Sequence, residues 1–266
     1  MLATAFRNGL ATARAAGWRG YALALLSYVP VVAAEASGNV AVAALTLVVQ
    51  VVVVLALIRL LGAYRAEPVP PPAQVDEQGR RVLPPPNPGP PLGDADRRVG
   101  GALRNALRLG RPALAMSGLI LLAQVAAVFT IIALSGGKAV DYSATVLLLT
   151  ALPVSALFLA FILLAPQRIA LEGETRVLVA TAHSVRIARS AYGVLLLLTI
   201  VEPAVTSVGS LLVPDKDPPI GLLVGVGSVT LLVAAVLQVV TTATANEVYL
   251  SGPRLDLPAD PGEARQ

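Results

Sequence analysis

AFRNGLATAR at Ala5–Arg14 returns as ALRNALRLGR at Ala102–Arg111 and, in pattern more than in letters, as ATAHSVRIAR at Ala180–Arg189. The first two copies share five of ten residues (Ala5/Ala102, Arg7/Arg104, Asn8/Asn105, Leu10/Leu107, Arg14/Arg111). The third keeps Val185, Ile187, Ala188 and Arg189 in matching places. Each closing arginine leads into an apolar run long enough to cross a bilayer, which takes about 20 residues. The chain therefore reads as three units, each a basic interfacial helix followed by a pair of spanning helices.

Six stretches carry the spans: Trp18–Glu35, Val40–Leu61, Ala113–Leu134, Ser143–Ala165, Tyr192–Val213 and Ile220–Thr242. Composition agrees, since 56% of residues are hydrophobic and 14% charged, against about 45–50% and 25% in soluble domains. A soluble core does not string six such runs together. The expected fold is an all-α, multi-pass integral membrane protein of six transmembrane helices.

The eighteen Arg cluster in the N-terminal segment, at Arg59, in the 62–112 and 166–191 connections and in the tail, whereas Lys138 and Lys216 lie in the loops opposite. Cytoplasmic loops carry the excess of cations, so both termini are expected in the cytoplasm of a bacterial inner membrane. Trp18, Tyr21, Tyr64, Tyr142, Tyr192 and Tyr249 fall at expected membrane edges, where amphipathic rings settle; only Tyr28 lies inside a span. Cysteine is absent, which removes disulfides and thiolate metal sites. The net charge of +4 is then a membrane-surface quantity directed at anionic lipid, and no aromatic-interleaved basic patch points to nucleic acid. Residues 1–36 resemble a signal peptide at Ala34-Glu35-Ala36, but the match between the N-terminal and internal basic segments argues that they stay attached.

The expected organisation is hairpin unit 1–65, a proline-rich disordered linker 66–99, units 100–166 and 167–250, and a disordered tail 251–266. The linker holds ten prolines between Pro68 and Pro91, a composition that gives extended or disordered chain. It reads as a cytoplasmic spacer, with docking of a polyproline-binding protein as the alternative.

On a helical wheel Leu2 and Leu10 fall within about 40° of Phe6, with Arg7 and Arg14 at about 80–100°. That geometry sinks an apolar stripe into lipid and lets the arginines snorkel to headgroups. Leu103 and Leu107 repeat it, while Thr181 makes the third copy less lipophilic and better suited to packing on protein. Arg7, Arg14, Arg104, Arg108, Arg111, Arg186 and Arg189 are the expected lipid-headgroup contacts.

No catalytic constellation is visible and no cofactor is expected. The single histidine, His183, has no metal-ligand partner at a suitable spacing and takes the place of Asn8 and Asn105, a polar or capping role. Gly221-x-x-x-Gly225 lies in a span and reads as close helix packing. The notable group is Glu202, since a carboxylate at mid-span costs about 2.5–3.5 kcal/mol on insertion scales. It lies thirteen residues after Arg189, as Gln124 does after Arg111 and Ser27 after Arg14. Ser27, Gln124 and Glu202 thus form a candidate intramembrane polar site, either a structural clasp or a transport cavity, with Gln50 and Gln238 adding polar groups in the second and sixth spans. Pro30, Pro153 and Pro203 interrupt spans.

From the fourth span onward, Leu164-Ala-Pro-Gln-Arg-Ile-Ala-Leu-Glu-Gly173, Ala182-His-Ser-Val-Arg-Ile-Ala-Arg189 and Thr241-Thr-Ala-Thr-Ala-Asn-Glu-Val-Tyr-Leu250 resemble the membrane domain associated with glycerophosphodiester phosphodiesterases. Similar stand-alone six-helix proteins of unassigned function occur in actinobacteria. The resemblance covers about residues 100–250. It implies the membrane module without the enzyme, because the soluble barrel and its His and acidic cluster have no counterpart here, and no catalytic residue carries over. The expectation is a non-enzymatic module that organises lipids or partner proteins at the cytoplasmic leaflet. The alternative is a small-solute transporter or lipid-translocating protein built around Glu202.

Overall fold

The computed structural model describes residues 2–37, 39–65, 74–75, 81–82, 92–134, 152–211 and 219–251. Among them the chain is helical apart from a two-residue antiparallel pairing, Gln74 with Val82 and Val75 with Arg81. The helices are α1 (Leu2–Ala16), α2 (Trp18–Ser37), α3 (Val40–Ala63), a 3-10 turn (Asp94–Arg97), α4 (Val99–Leu107), α5 (Gly110–Leu134), α6 (Leu152–Ile162), α7 (Ala165–Glu172), α8 (Val177–Leu211) and α9 (Ile220–Ser251).

Local chemistry sets several boundaries. Gly17 turns left-handed (φ +54°) between α1 and α2 and donates its N–H to the Ala13 carbonyl, a helix stop that glycine adopts without strain. Asn39 caps α3 by accepting the Ala41 N–H, which satisfies one of its free first-turn donors. Pro112 and Pro166 sit in the first turns of α5 and α7, where no intrahelical N–H is lost. Gly173 (φ +71°) closes α7.

Among the described residues five helical stretches are long and apolar enough to cross a membrane: Leu45–Ala63, Gly110–Ala133, Pro153–Glu172, Val177–Val205 and Ile220–Ser251. The protein is a multi-pass membrane protein on that ground. The expected first span, now α2, is not among the five, and it carries Arg19, Ser27, Tyr28, Pro30 and Glu35. Residues 143–151 of the expected fourth span, Lys138, Tyr142, Lys216, most of the proline-rich linker and the tail from Gly252 lie outside the described residues.

Three further expectations are corrected. The third basic segment is not a helix separate from the fifth span. Both belong to α8, which leaves helical geometry only at Ala191 (φ −125°, ψ 18°). The linker does not run unstructured to 99, because Asp94–Arg97 form a 3-10 turn whose Asp96 is buried. Gly221, Gly225 and Gly227 are not a packing face among the described residues, since a Cβ added to any of them would meet nothing within 4 Å.

The basic helices dock in a regular way. α1 lies on α9, α4 lies on α3, and α8 lies on α6 and α7. The buried face is made of small residues. Ala5, Ala102 and Ala180 occupy one register and are 5%, 0% and 0% exposed, and Ala16, Ala113 and Ala191 occupy another at 2%, 0% and 8%. Gly9, Ala106 and Ser184 share a third buried register. A Cβ on Gly9 would come within 2.7 Å of Thr244 Oγ1 and 2.9 Å of its Cα, so α1 and α9 approach almost backbone to backbone. Ser184 Oγ donates to the Phe161 carbonyl (2.7 Å) and accepts the Leu164 N–H (3.1 Å). Membrane helices associate through such small residues because lipid offers no hydrophobic drive between them. Phe6 (48% exposed) and Leu107 (65%) point away from the bundle, whereas Leu103, expected in the same stripe, packs against the core; the small-residue face is what the wheel did not display.

Candidate functional site

Two polar regions stand out, one inside the span region and one at its arginine-rich end. In the first, the Ser27 hydroxyl, fully buried on α2, lies 2.9 Å from Gln238 Oε1 on α9 and 2.7 Å from the Ala24 carbonyl. One residue on, the Tyr28 hydroxyl donates to Glu202 Oε1 on α8. α2 is thereby tied to α8 and α9 by adjacent side chains. Among the described residues no Arg or Lys pairs with Glu202.

Gln124 does not join them: it is exposed on α5. The equal thirteen-residue offset fails here for a geometric reason. Between Arg14 and Ser27 the chain passes the Gly17 break, and between Arg189 and Glu202 it passes the kink at Ala191. Between Arg111 and Gln124 it runs without interruption within α5, its break lying earlier at Arg108–Leu109. At about 100° per residue, a break inserted or omitted turns the same offset to another face. The site therefore consists of Ser27, Tyr28, Glu202 and Gln238. Both newcomers had a signal in the sequence, Tyr28 as the one tyrosine away from the edges of a span and Gln238 as a polar residue in the expected sixth.

At the arginine-rich end the three segments Leu164–Gly173, Ala182–Arg189 and Thr241–Leu250 come together. Tyr249 donates its hydroxyl to Glu172 Oε1, and its ring meets His183 edge-on at 5.6 Å. Asn246 Nδ2 donates to the Ile58 carbonyl (3.2 Å). Arg65 grips Glu247 with two bonds of 2.8 and 3.2 Å. Arg59 does the same to Asp96 at 2.8 and 3.0 Å and gives a third donor to the Ala170 carbonyl at 2.7 Å. Asn105 Nδ2 adds a further bond to Asp96 (3.0 Å). Burial alone would raise the Asp96 carboxyl, but the bonds from Arg59 and Asn105 and the Arg59 charge outweigh it and hold the group below its ordinary range. Glu174 follows the same logic: burial pushes it up, and hydrogen bonds and charge from Arg176, with Arg168 behind, bring it below normal.

Two sets of arginines stand apart, beside Arg97 and Arg176, which are exposed yet pair with Asp94 and Glu174. Arg59, Arg65 and Arg168 are largely covered and paired with carboxylates. Arg7, Arg14, Arg104, Arg108, Arg111, Arg186 and Arg189 are exposed, and none of them makes an ion pair among the described residues. Bidentate, charge-assisted bonds such as those of Arg59 and Arg65 position helices. Arg59 and Arg65 were missed from the sequence because their acidic partners lie 37 and 182 residues away; Arg168 pairs locally, with Glu172 four residues on. No family model, curated protein or solved structure matches the chain.

Proposed function

We propose that the protein is a non-enzymatic membrane module of six spans in three units, with both termini in the cytoplasm of a bacterial inner membrane. Its role is to gather anionic lipid, and proteins that follow it, at the cytoplasmic leaflet. The observation that carries this reading is the contrast among the arginines: Arg59, Arg65 and Arg168 are covered and paired, whereas the seven of the three basic segments are exposed and make no ion pair among the described residues. Arg7 follows the exposed Phe6 and Arg108 the exposed Leu107, an arrangement suited to snorkelling. The resemblance to the phosphodiesterase-associated membrane domain, shorn of its enzyme, points the same way, and the proline-rich linker supplies a place for a protein partner.

The translocation reading rests on Glu202. Its carboxylate is taken up by Tyr28 and the neighbouring Ser27 by Gln238, while Gln124 faces away. Mutual satisfaction of this kind favours a clasp over an open cavity.

The test is reconstitution of the full chain in lipid nanodiscs of mixed phosphatidylglycerol and phosphatidylcholine. The ratio of the two lipids around the protein is compared with that of empty discs. Wild type should enrich the anionic lipid at low ionic strength, and the enrichment should shrink in high salt, where the screening length falls to about 3 Å at 1 M. Replacing Arg7, Arg14, Arg186 and Arg189 by Gln should remove most of it. Enrichment unchanged by those substitutions would sink the proposal.

A further inference from the structure

Asp96 is neutralised within the fold, since Arg59 takes both of its oxygens and Asn105 a further bond. The arginines on the outer side of the same turn are not. Arg98, Arg104 and Arg108 are exposed, make no ion pair among the described residues, and line one cleft of about 520 Å³ together with Ala95, Gly101 and Asn105. The cleft adjoins a second hollow of about 340 Å³ that shares Arg108 and reaches Arg59 and Leu109. Three cations therefore face a concavity whose own lining holds no acid among the described residues, and Asp96, which lines the adjoining hollow, is taken up by Arg59.

The backbone adds to this field. α4 begins at Val99, and the Ala102 N–H is the first to reach a helical acceptor, the Arg98 carbonyl. The amides of Val99, Gly100 and Gly101 precede it, and such first-turn N–H groups carry the positive end of the helix dipole. Gly101 lies against the Ala95 carbonyl so closely that any Cβ would collide with it, whereas a Cβ on Gly100 would meet nothing within 4 Å. One glycine seats the 3-10 turn on the helix start, and the other leaves the mouth of the cleft open. Just beyond, Leu107 (65% exposed) and Leu114 (61%) begin an apolar face that continues along α5, one of the membrane-crossing stretches.

We infer that the cleft between the 3-10 turn and α4 is a binding site for the phosphate groups of an anionic membrane lipid. Guanidinium forks match phosphate oxygens in shape and charge. Three of them, unopposed, suit a headgroup with two or more negative charges, such as a paired phosphodiester, better than one with a single charge. The headgroup sits among Arg98, Arg104 and Arg108, and the acyl chains follow Leu107 and Leu114 down α5. This inference rests on the membrane-module reading and sharpens it from a diffuse surface attraction to one stoichiometric site.

The test is native mass spectrometry of the full chain in non-ionic detergent, titrated separately with cardiolipin, phosphatidylglycerol and phosphatidylcholine. One equivalent of cardiolipin should be retained about tenfold more tightly than phosphatidylglycerol, as fork geometry and charge number together predict. Arg98→Gln with Arg104→Gln should weaken that binding by about tenfold or more. Gly100→Asp, which puts a negative charge where there is room for it, should do the same without removing an arginine. Arg7→Gln with Arg14→Gln should leave it within about twofold, those residues lying on another helix. Equal binding by wild type and the Arg98/Arg104 variant, with thermal unfolding unchanged, overturns the inference, as does equal binding by Gly100→Asp. Displacement of cardiolipin by millimolar inorganic phosphate, with no preference among the lipids, would assign the cleft to a soluble phosphate and overturn the lipid assignment. Loss of nanodisc enrichment while the single equivalent persists would instead defeat only the wider proposal.

Discussion

Arg59 joins three elements, giving two donors to Asp96 and one to the Ala170 carbonyl from a side chain only 13% exposed. Arg59→Ala would strand the buried Asp96 carboxylate, and breaking a buried pair from one side costs about 3–5 kcal/mol. Denaturant unfolding of the detergent-solubilised protein should show a loss of that order, and a loss below about 1 kcal/mol would contradict the role assigned to the pair. The pH dependence has a defined sign. Asp96 is held below its ordinary range, so its contribution is fully present above the unfolded value of about 3.9 and is lost as pH falls through the lower folded value. Thermal unfolding between pH 3 and 7 should show that acid-side decline, and Asp96→Asn should flatten it; a slope unaltered by the substitution would refute the assignment. Glu202 behaves differently because its partner is a hydroxyl. Glu202→Gln keeps an oxygen for Tyr28, and interhelical bonds of this type contribute about 0.6 kcal/mol on average. Stability should change by less than about 1 kcal/mol, and retained lipid should not change; loss of a specifically bound molecule in the variant would restore the cavity reading.

Between α1 and α9 the contact is governed by the absence of a side chain. Gly9→Leu would drive a branched side chain into the Thr244 backbone, and overfilling a close contact costs about 1–3 kcal/mol. Gly225→Leu, where a Cβ meets nothing within 4 Å, should cost less than about 0.5 kcal/mol, as substitutions away from such contacts do. If thermal unfolding of the two variants does not separate them in that order, α1 does not seat where the structure places it. The same pair shows which signals were legible. Hydropathy and charge displayed the basic helices and the apolar runs, because long periodic segments leave a strong imprint. The docking face was written in Ala5, Ala102 and Ala180 as identity at matching positions, yet a wheel weighted towards large apolar residues looks past alanine and glycine. Gly221 and Gly225 meet no neighbour among the described residues; a small-residue spacing shows only that an approach is permitted, not that a neighbour makes it.

Among the described residues the longest-range hydrogen bonds join the first third to the last: Ser27 to Gln238, Asn246 to the Ile58 carbonyl and Arg65 to Glu247. No local pattern announces them, which is why Ser27 and Glu202 could be nominated from the sequence and their partners Gln238 and Tyr28 only noted. Closure follows from them. The part before the linker (α1–α3) meets the part after it through α1 on α9, α2 on α9, and α3 on α4, α5, α7 and α9, so continuity of the chain through residues 83–91 contributes little to holding the halves together. Buried apolar contact and the Arg59–Asp96 and Arg65–Glu247 pairs do that, and pairs so covered are screened little by salt. A protease site replacing Pro84–Pro86 should therefore be cleavable without dissociation, and the two fragments should elute together in detergent size-exclusion chromatography even at about 0.5 M salt. Adding Gly9→Leu and Arg65→Ala to the cleaved protein should separate them, because those changes act on both ends of the closure. Fragments that part on cleavage alone would mean that the linker, rather than the docking of each basic helix on its neighbour, keeps the bundle closed.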